Sequence, residues 1–297
     1  MKLVVIAGAT ATGKSALSID VAHAIDAEII NADSMQVYRG MDIGTAKIAL
    51  EERQGIPHHM LDVLDVNQDA TVAWYQSAAR EAIDEIHSRG KNVVMVGGTG
   101  LYIKSVIDEL NFPDTDPMVR HTLNMEAEEL GIDAMFARLE KLDPAAALAI
   151  DRANLRRIIR ALEVIEITGK PFTANLPRED SLRYPNARQF GLVMDRDLLS
   201  GRIDVRVNSM FDNGLVSEVQ RLIDQGLLEG RTAQRALGYS QVISHLQGET
   251  TLDAAIEETK RATRQYARRQ ETWFSRDARI KWISTRQPRL ESILESL

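Results

Sequence analysis

The run Gly8-Ala9-Thr10-Ala11-Thr12-Gly13-Lys14-Ser15 meets every fixed position of the pattern G-x-x-x-x-G-K-[ST]. Such a loop constrains the fold because it works only between a buried strand and a helix. Its glycines let backbone N–H groups curl around phosphate oxygens, and the helix N-terminus adds a positive pole. The flanks agree. Lys2–Ala7 is a short apolar run, and Ser15–Asp26 puts Leu17, Val21, Ala24 and Ile25 on one helical side. Lys14 offers a point charge to terminal phosphates, and Ser15 offers a hydroxyl ligand to Mg²⁺. A di- or triphosphate is the expected ligand.

The same alternation continues. Ala27–Ala32 reads as a strand ending at Asp33-Ser34, and His59–Leu64 as a third strand. Ala73–Ser88 reads as a helix with Trp74, Ala78, Ala82, Ile83 and Ile86 inward, followed by the buried strand Asn92–Val96. Strands alternating with helices predict a P-loop NTPase-like parallel sheet flanked by helices. After the turn residues Pro113–Pro117 no strand pattern appears until Arg188–Met194. Amphipathic helices broken at Gly131 and Asp143-Pro144 fill the gap, and Asn175–Pro185 reads as loop. The expected organisation is a discontinuous core, 1–113 and 188–297, with an α-helical insertion domain at 114–187. Ile280–Ile283 reads as a last strand.

Composition removes several classes of function. There is no cysteine, which excludes disulfides, thiol catalysis and cysteine-ligated zinc. No run of 18 apolar residues exists, so no membrane span is expected. Met1–Ala11 leads straight into the P-loop and does not read as a secretion signal, so cytoplasmic residence is expected. Nothing in the sequence calls for an oligomer, and a monomer is expected. The net charge of −7 argues weakly against nucleic acid, but the charge is segregated. Lys260–Arg289 carries ten Lys/Arg against two acids, and Arg152, Arg156, Arg157 and Arg160 form a second cluster. Either is a solvated helix face or a nucleic-acid contact.

Four further features bear on chemistry. P-loop nucleotide hydrolases and kinases place a carboxylate at a neighbouring strand end for the metal. Here the strand Asn92–Val96 ends in Gly97-Gly98-Thr99-Gly100-Leu101-Tyr102, with a hydroxyl and amides instead. That suits a site positioning a leaving phosphate; a close backbone approach explains the glycines equally well. Asp33 lies at the ligand-binding edge of a parallel sheet, where it reads as a general base or as a helix N-cap. Arg202 and Arg206, four apart on one helical face, read as a diphosphate clamp or as surface ion pairs with Asp204 or Glu218. His58-His59 lacks further ligands at zinc spacing and reads as a packing or hydrogen-bonding pair.

Several motifs in one order resemble the tRNA dimethylallyltransferase (tRNA isopentenyltransferase, IPP transferase) family. They are Gly8–Ser15, Asn31–Lys47, Gly55–Asp62, Gly97–Tyr102, Arg157–Val164, Arg235-Ala-Leu-Gly-Tyr239 and Thr263–Phe274. The resemblance spans Leu3 to Trp282, and Asn31–Lys47 is far more specific than the P-loop. It implies transfer of a dimethylallyl group from dimethylallyl diphosphate to N6 of adenosine 37, beside the tRNA anticodon. The P-loop residues Gly8, Ala9, Thr10, Ala11, Thr12, Gly13, Lys14 and Ser15 then hold the diphosphate of an isoprenoid, with Ser15 acting through Mg²⁺. By the same resemblance Asp33 is the general base at N6, Thr99 is hydrogen-bonded at the leaving group's bridging oxygen, and Arg202 and Arg206 help to hold diphosphate. Adenosine 37 must be extruded from its stack, and loop bases are where RNA is most readily read. The implied tRNA contacts are Asp33, Ser34, Met35, Gln36, Thr99 and Arg120, with Arg156, Arg157, Ile158, Ile159 and Arg160 on the anticodon stem-loop.

Ala9 stands where the family commonly has Pro, which touches loop stiffness and not the phosphate ligands. No cysteine/histidine zinc finger of the eukaryotic kind is present, which places the chain with the bacterial form. Competing readings are a P-loop small-molecule or nucleotide kinase, an adenylate isopentenyltransferase acting on free AMP or ATP, and a non-enzymatic RNA-binding module. The first leaves Asn31–Lys47 unexplained, the second the arginines at 152–160, and the third the P-loop.

Overall fold

A computed structural model describes residues 1–175 and 182–297. Of the loop expected over Asn175–Pro185, residues 176–181 lie outside the described set. The chain divides into two compact units, one formed by Met1–Ile107 with Tyr184–Leu297 and the other by Asp108–Arg183. The second unit starts and ends earlier than the expected 114–187, because Asp108 and Leu182 pair in an antiparallel bridge at its base.

The first unit begins β1 (Leu3–Gly8), α1 (Lys14–Ile25), β2 (Ala27–Asn31), β3 (His58–His59), α2 (Val72–Ser88), β4 (Asn92–Gly97) and α3 (Gly100–Ile107). The second unit is all helical: α4 (Pro117–Leu130), α5 (Ile132–Leu142), α6 (Pro144–Ala149) and α7 (Leu155–Thr168). The chain returns through β5 (Arg188–Val193), α8 (Arg196–Asp212), α9 (Leu215–Asp224), α10 (Tyr239–Leu246), α11 (Leu252–Phe274), β6 (Ile280–Ser284) and α12 (Arg289–Leu294).

Six parallel strands lie in the order β3-β2-β4-β1-β5-β6. A sheet covered on both faces needs continuous apolar strands, and β1 is buried at every position. Its side chains alternate between faces. Leu3, Val5 and Ala7 pack with Tyr75, Ile83 and Ile86 of α2, while Val4 and Ile6 pack with Leu17 and Val21 of α1. Each such aliphatic side chain contributes roughly 1.5–3 kcal/mol on burial. A third cluster joins Val37, Tyr38 and Met41 to Leu215, Leu222 and Tyr239, and so packs the segment after β2 against α9 and α10.

The second unit has its own core of Leu123, Met135, Leu139, Ile158 and Leu162. Helix starts are set locally: the Asp116 side chain accepts from the N–H groups of Met118 and Val119, and Asp143 accepts from Ala146. Gly131 ends α4 and opens α5, as the sequence break implied.

Candidate active site

The P-loop leaves β1 at Gly8, where φ is +137° and a Cβ would sit 2.8 Å from the Leu192 carbonyl oxygen. Only glycine fits there. Ala11 is also left-handed (φ +63°), which turns the following N–H groups inward as an anion nest. Ala9 and Ala11 are buried against Leu199, Ile203 and Ala267. The Thr12 hydroxyl donates to the Ala9 carbonyl at 2.8 Å, and Lys14 Nζ donates to the same oxygen at 2.6 Å. Gly13 and Lys14 open α1, which has no acidic residue in its first turn. The positive end of the helix therefore faces the loop without a counter-charge of its own.

β4 lies beside β1, at the position where a P-loop hydrolase carries its metal-binding acid. It ends instead in Gly97, where a Cβ would fall 2.1 Å from the Ala32 carbonyl oxygen, so the close-approach reading of this glycine holds. The approach lets Thr99 stitch two strand ends together. The Thr99 N–H donates to Ala32 O (3.2 Å), Ser34 N–H donates to Thr99 Oγ1 (3.1 Å), and Thr99 Oγ1 donates to Ser34 Oγ (3.3 Å).

Asp33 follows β2, one strand further out. Its Oδ1 accepts from the Met35 N–H at 2.9 Å, so the carboxylate braces its own turn. Asn31 holds that turn from below, donating to Asp33 O and Met60 O, and Tyr75 OH donates to Asn31 O at 2.7 Å. No helix follows directly, so Asp33 is not a helix N-cap; its carboxylate closes a turn and also faces the site. A cavity of about 280 Å³ is lined by Thr10, Gly13, Lys14, Ser15, Asp33 and Arg206 among others. An adjoining chamber of about 300 Å³ shares Thr10, Asp33, Thr45, Ala46 and Arg206, and continues to Met35, Val207, Met210, Leu237 and Tyr266. Asp33 borders both spaces.

The electrostatics follow from this enclosure. Burial lowers the Lys14 ammonium to about 8; Asp33 partly restores it and Arg206 lowers it further. Burial raises the Asp33 carboxyl, against the Met35 and Gln36 N–H groups and the charge of Lys14. Arg206 is itself lowered by burial and by Arg202. Three cations and one carboxylate among the described lining residues suit a multiply charged anion. Arg206 Nη1 donates to Thr10 Oγ1 at 3.3 Å, and both Arg202 and Arg206 line the phosphate cavity. The alternative ion pairs fall away: Asp204 pairs with Arg264, and Glu218 accepts from backbone N–H groups of 42–44.

In the second unit the expected contact set separates. Ile158 and Ile159 are 0% and 4% exposed, so their side chains sit in the core and cannot reach a ligand. Arg120 and Arg160 both pair with the buried Glu163, and Arg160 also donates to the carbonyls of Pro113 and Asp114. Burial raises the Glu163 carboxyl, but the hydrogen bonds and charges of the two arginines leave it lowered overall. Arg120 thereby ties α4 to α7, and Arg160 ties α7 to the segment ahead of α4. Arg156 and Arg157 stay exposed on α7. In the basic tract, Lys260, Arg261, Arg264 and Arg279 are paired with carboxylates, so part of it is an ion-paired helix face. His58 Nδ1 meets the Ile56 carbonyl, and His59 Nε2 meets Glu28 at 2.7 Å, in agreement with a hydrogen-bonding pair.

Several site residues carried no assigned role in the sequence. Gln270 of α11 donates to Gly98 O (2.9 Å) and accepts from Thr10 N–H (2.9 Å), bridging the P-loop to the β4 end. The Tyr266 phenol is pushed up to about 12, mainly by burial, and is hydrogen-bonded to Thr99 and Gln270. Arg235 and Arg269 line the adjoining chamber. The signal for all four was the motifs Arg235–Tyr239 and Thr263–Phe274.

Fold and site together define a P-loop α/β protein whose loop cavity adjoins a carboxylate-bearing chamber, without the strand-end acid of nucleotide hydrolases. Comparison with known proteins narrows this class. A family model described as IPP transferase matches residues 36–277. The tRNA dimethylallyltransferase of Thermobifida fusca is 55% identical over 97% of this chain and 91% of its own length. That of Streptomyces coelicolor is 54% identical over 95% and 90%. A crystal structure of the tRNA isopentenylpyrophosphate transferase from Bacillus halodurans superposes with a TM-score of 0.73 at 42% identity, covering 99% of this chain and 94% of that one. A eukaryotic dimethylallyltransferase crystallised acting on tRNA superposes at 0.81 with 30% identity, over 96% and 74%. The chain belongs to the IPP transferase family.

Among the described residues no helix is long and apolar enough to cross a membrane, and no cluster of three His, Cys, Asp or Glu is arranged to hold a metal ion.

Proposed function

We propose that this protein transfers the dimethylallyl group of dimethylallyl diphosphate to N6 of adenosine 37 in tRNA, in the cytoplasm, releasing diphosphate. The observation that carries the proposal is Asp33, whose carboxylate borders both the phosphate cavity and the adjoining chamber. In this reading the donor's diphosphate lies in the P-loop cavity, and its alkenyl group meets the extruded adenine in the chamber beyond Asp33. The N6 lone pair is delocalised into the ring and is a poor nucleophile until its proton is taken. The N6–C1 bond forms as the C1–O bond of the donor breaks. The bonding pair leaves on diphosphate, and the N6 proton passes to Asp33. Lys14, Arg206 and the inward N–H groups of the P-loop stabilise the charge that develops on the leaving group. In the same reading Thr99 hydrogen-bonds the bridging oxygen of the leaving group.

The donor set suits Mg²⁺ held mainly by the diphosphate. The chain offers the Ser15 hydroxyl at the start of α1 and, among the described residues, no carboxylate cluster, and Mg²⁺ commonly takes one or two protein ligands beside phosphate and water. When bound, the ion neutralises part of the leaving group's charge.

The test is mass analysis of nucleosides from unmodified tRNA incubated with the protein and dimethylallyl diphosphate. N6-(dimethylallyl)adenosine is expected at position 37. ATP-dependent phosphorylation without prenyl transfer, or prenylation of free AMP alone, would overturn the reading.

The exposed Arg156 and Arg157 are the arginines of the second unit assigned here to the anticodon stem-loop. Replacing both with alanine is expected to weaken tRNA binding and to flatten its log–log salt dependence, by roughly 0.7–0.9 for each phosphate that is no longer neutralised. A filter-binding titration across salt concentrations measures this, and an unchanged slope removes them from the interface. Arg160→Ala is expected to act differently. It strips a partner from the buried Glu163 and lowers thermal stability.

A further inference from the structure

Met41–Lys47 contains no helix or strand, yet it walls both the phosphate cavity and the adjoining chamber. Thr45 and Ala46 line both the phosphate cavity and the adjoining chamber, and Gly44 lines the chamber. A short turn of this kind keeps one shape only if something outside it pins it. Two buried side chains do so, from opposite directions.

From one side comes Glu218 of α9, 2% exposed. Its carboxylate accepts the N–H groups of Asp42 (3.3 Å), Ile43 (2.9 Å) and Gly44 (3.3 Å), and the Tyr239 hydroxyl of α10 at 2.5 Å. Tyr239 also closes the space: a Cβ on Gly44 would fall 2.4 Å from its ring. From the other side comes Lys47, whose side chain is 4% exposed. Its ammonium donates to Tyr38 O (2.8 Å), Asp42 Oδ1 (2.7 Å) and Asp62 Oδ1 (2.5 Å). Inside the turn, Thr45 Oγ1 donates to Met41 O at 2.6 Å, and Ala46 is left-handed at φ +51°. The turn in turn holds Gln36, whose amide donates to Thr45 O at 3.0 Å.

Burying a carboxylate and an ammonium is costly unless every lone pair and proton finds a partner. The surrounding cluster of Val37, Met41, Leu215, Val219 and Leu222 is otherwise apolar. The charges therefore add geometry that apolar packing alone lacks.

We propose that Glu218, with Tyr239 and Lys47, is a positioning residue: it fixes Met41–Lys47 as a rigid partition whose placement sets the fit of the diphosphate and orients Gln36. The proposal rests on the prenyl-transfer reading for its consequence, but its test does not need prenyl transfer. Glu218→Gln keeps the shape and replaces an acceptor oxygen with a donor that opposes the turn's N–H groups.

Hydrogen–deuterium exchange of the full chain is expected to speed up at amides 42–44 by roughly 10- to 100-fold, the scale of a missing charge-assisted hydrogen bond. Exchange in β1 and β4 is expected to stay unchanged. Inorganic diphosphate, titrated calorimetrically, is expected to bind about tenfold more weakly. Saturating it is expected to restore protection at 42–44, a response that a merely structural role lacks. Tyr239→Phe, which leaves the carboxylate in place, is expected to show the same pattern at smaller amplitude, and it decides the matter if Glu218→Gln does not fold. Unchanged exchange at 42–44, exchange rising across the whole sheet, or unchanged diphosphate affinity would each overturn the proposal. Absence of prenyl transfer by the wild-type chain would overturn the function while leaving this clamp to stand or fall on exchange and diphosphate binding.

Discussion

Asp33→Asn is expected to lower prenyl-transfer turnover by roughly 10²–10⁴-fold, the range typical of a lost general base. The substitution separates chemistry from architecture. Asparagine keeps an oxygen to accept from the Met35 N–H, so the turn after β2 should survive. What it removes is the capacity to take the N6 proton. Binding of tRNA, measured separately, is expected to hold. The pH profile supplies an independent signature. Burial raises the Asp33 carboxyl from its ordinary value, so the wild-type rate should fall as pH drops through that raised value. The acid limb should vanish in the asparagine variant. Wild-type turnover by Asp33→Asn would remove the residue from the base role.

Lys14→Met is expected to reduce kcat/KM for the donor by roughly 10²–10³-fold, as for removal of one preorganised donor to a developing anion. Here too the sign of the pKa shift makes a separate prediction. Burial lowers the ammonium to about 8, so in the free protein its positive charge is lost as pH rises through about 8. Diphosphate affinity should weaken over that window in the wild type and lose this dependence in the methionine variant. Bound diphosphate restores the charge and moves the window upward. The linkage to folding runs the other way. Between about 8 and the ordinary lysine value the unfolded chain binds the extra proton, so the Lys14 contribution to stability rises with pH across that interval. A raised Asp33 favours the folded state at low pH, and that benefit is lost as pH rises through its folded value. Near neutrality the empty site therefore weighs against folding, and diphosphate relieves it. A flat pH dependence of diphosphate binding in the wild type would contradict the buried-lysine account.

The parts of this fold that could be read from the sequence are those whose signal is local. β1 and the Val93–Val96 stretch of β4 are apolar runs because both faces of the sheet are covered, and the P-loop is a contiguous pattern between two of the elements it needs. Asp33 was visible as a polar residue at a strand end. The N-cap reading is not borne out, because no helix starts directly after Asp33 and its carboxylate instead accepts the Met35 N–H within a turn. What the sequence hid is long-range or ambiguous in residue type. Gln270 is a glutamine on a long polar helix until the fold brings it between Thr10 and Gly98. Glu218 looks like a surface acid because its partners, the N–H groups of 42–44, have no sequence signature. The pairing of Arg120 was hidden because Glu163 lies 43 residues away, although Arg160 meets the same carboxylate from three residues off. Ile158 and Ile159 entered the expected contact set as part of the segment Arg156–Arg160 that the family resemblance implied, and their helical phase points them inward. The order of strands in the sheet had no local signal either.

The bridge from Gln270 to Thr10 has a consequence for how the protein comes into being. The phosphate loop leaves the ribosome well before the side chain that braces it, which is 260 residues further on. At synthesis rates of about 5–20 residues per second, that interval is roughly 13–50 s. During it the loop has its sequence but not its brace, and β5, which flanks β1, is itself made only part-way through. Nascent chains halted before α11 should then be poor diphosphate binders despite an intact G-x-x-x-x-G-K-S. The motif becomes a working site only once α11 has been made.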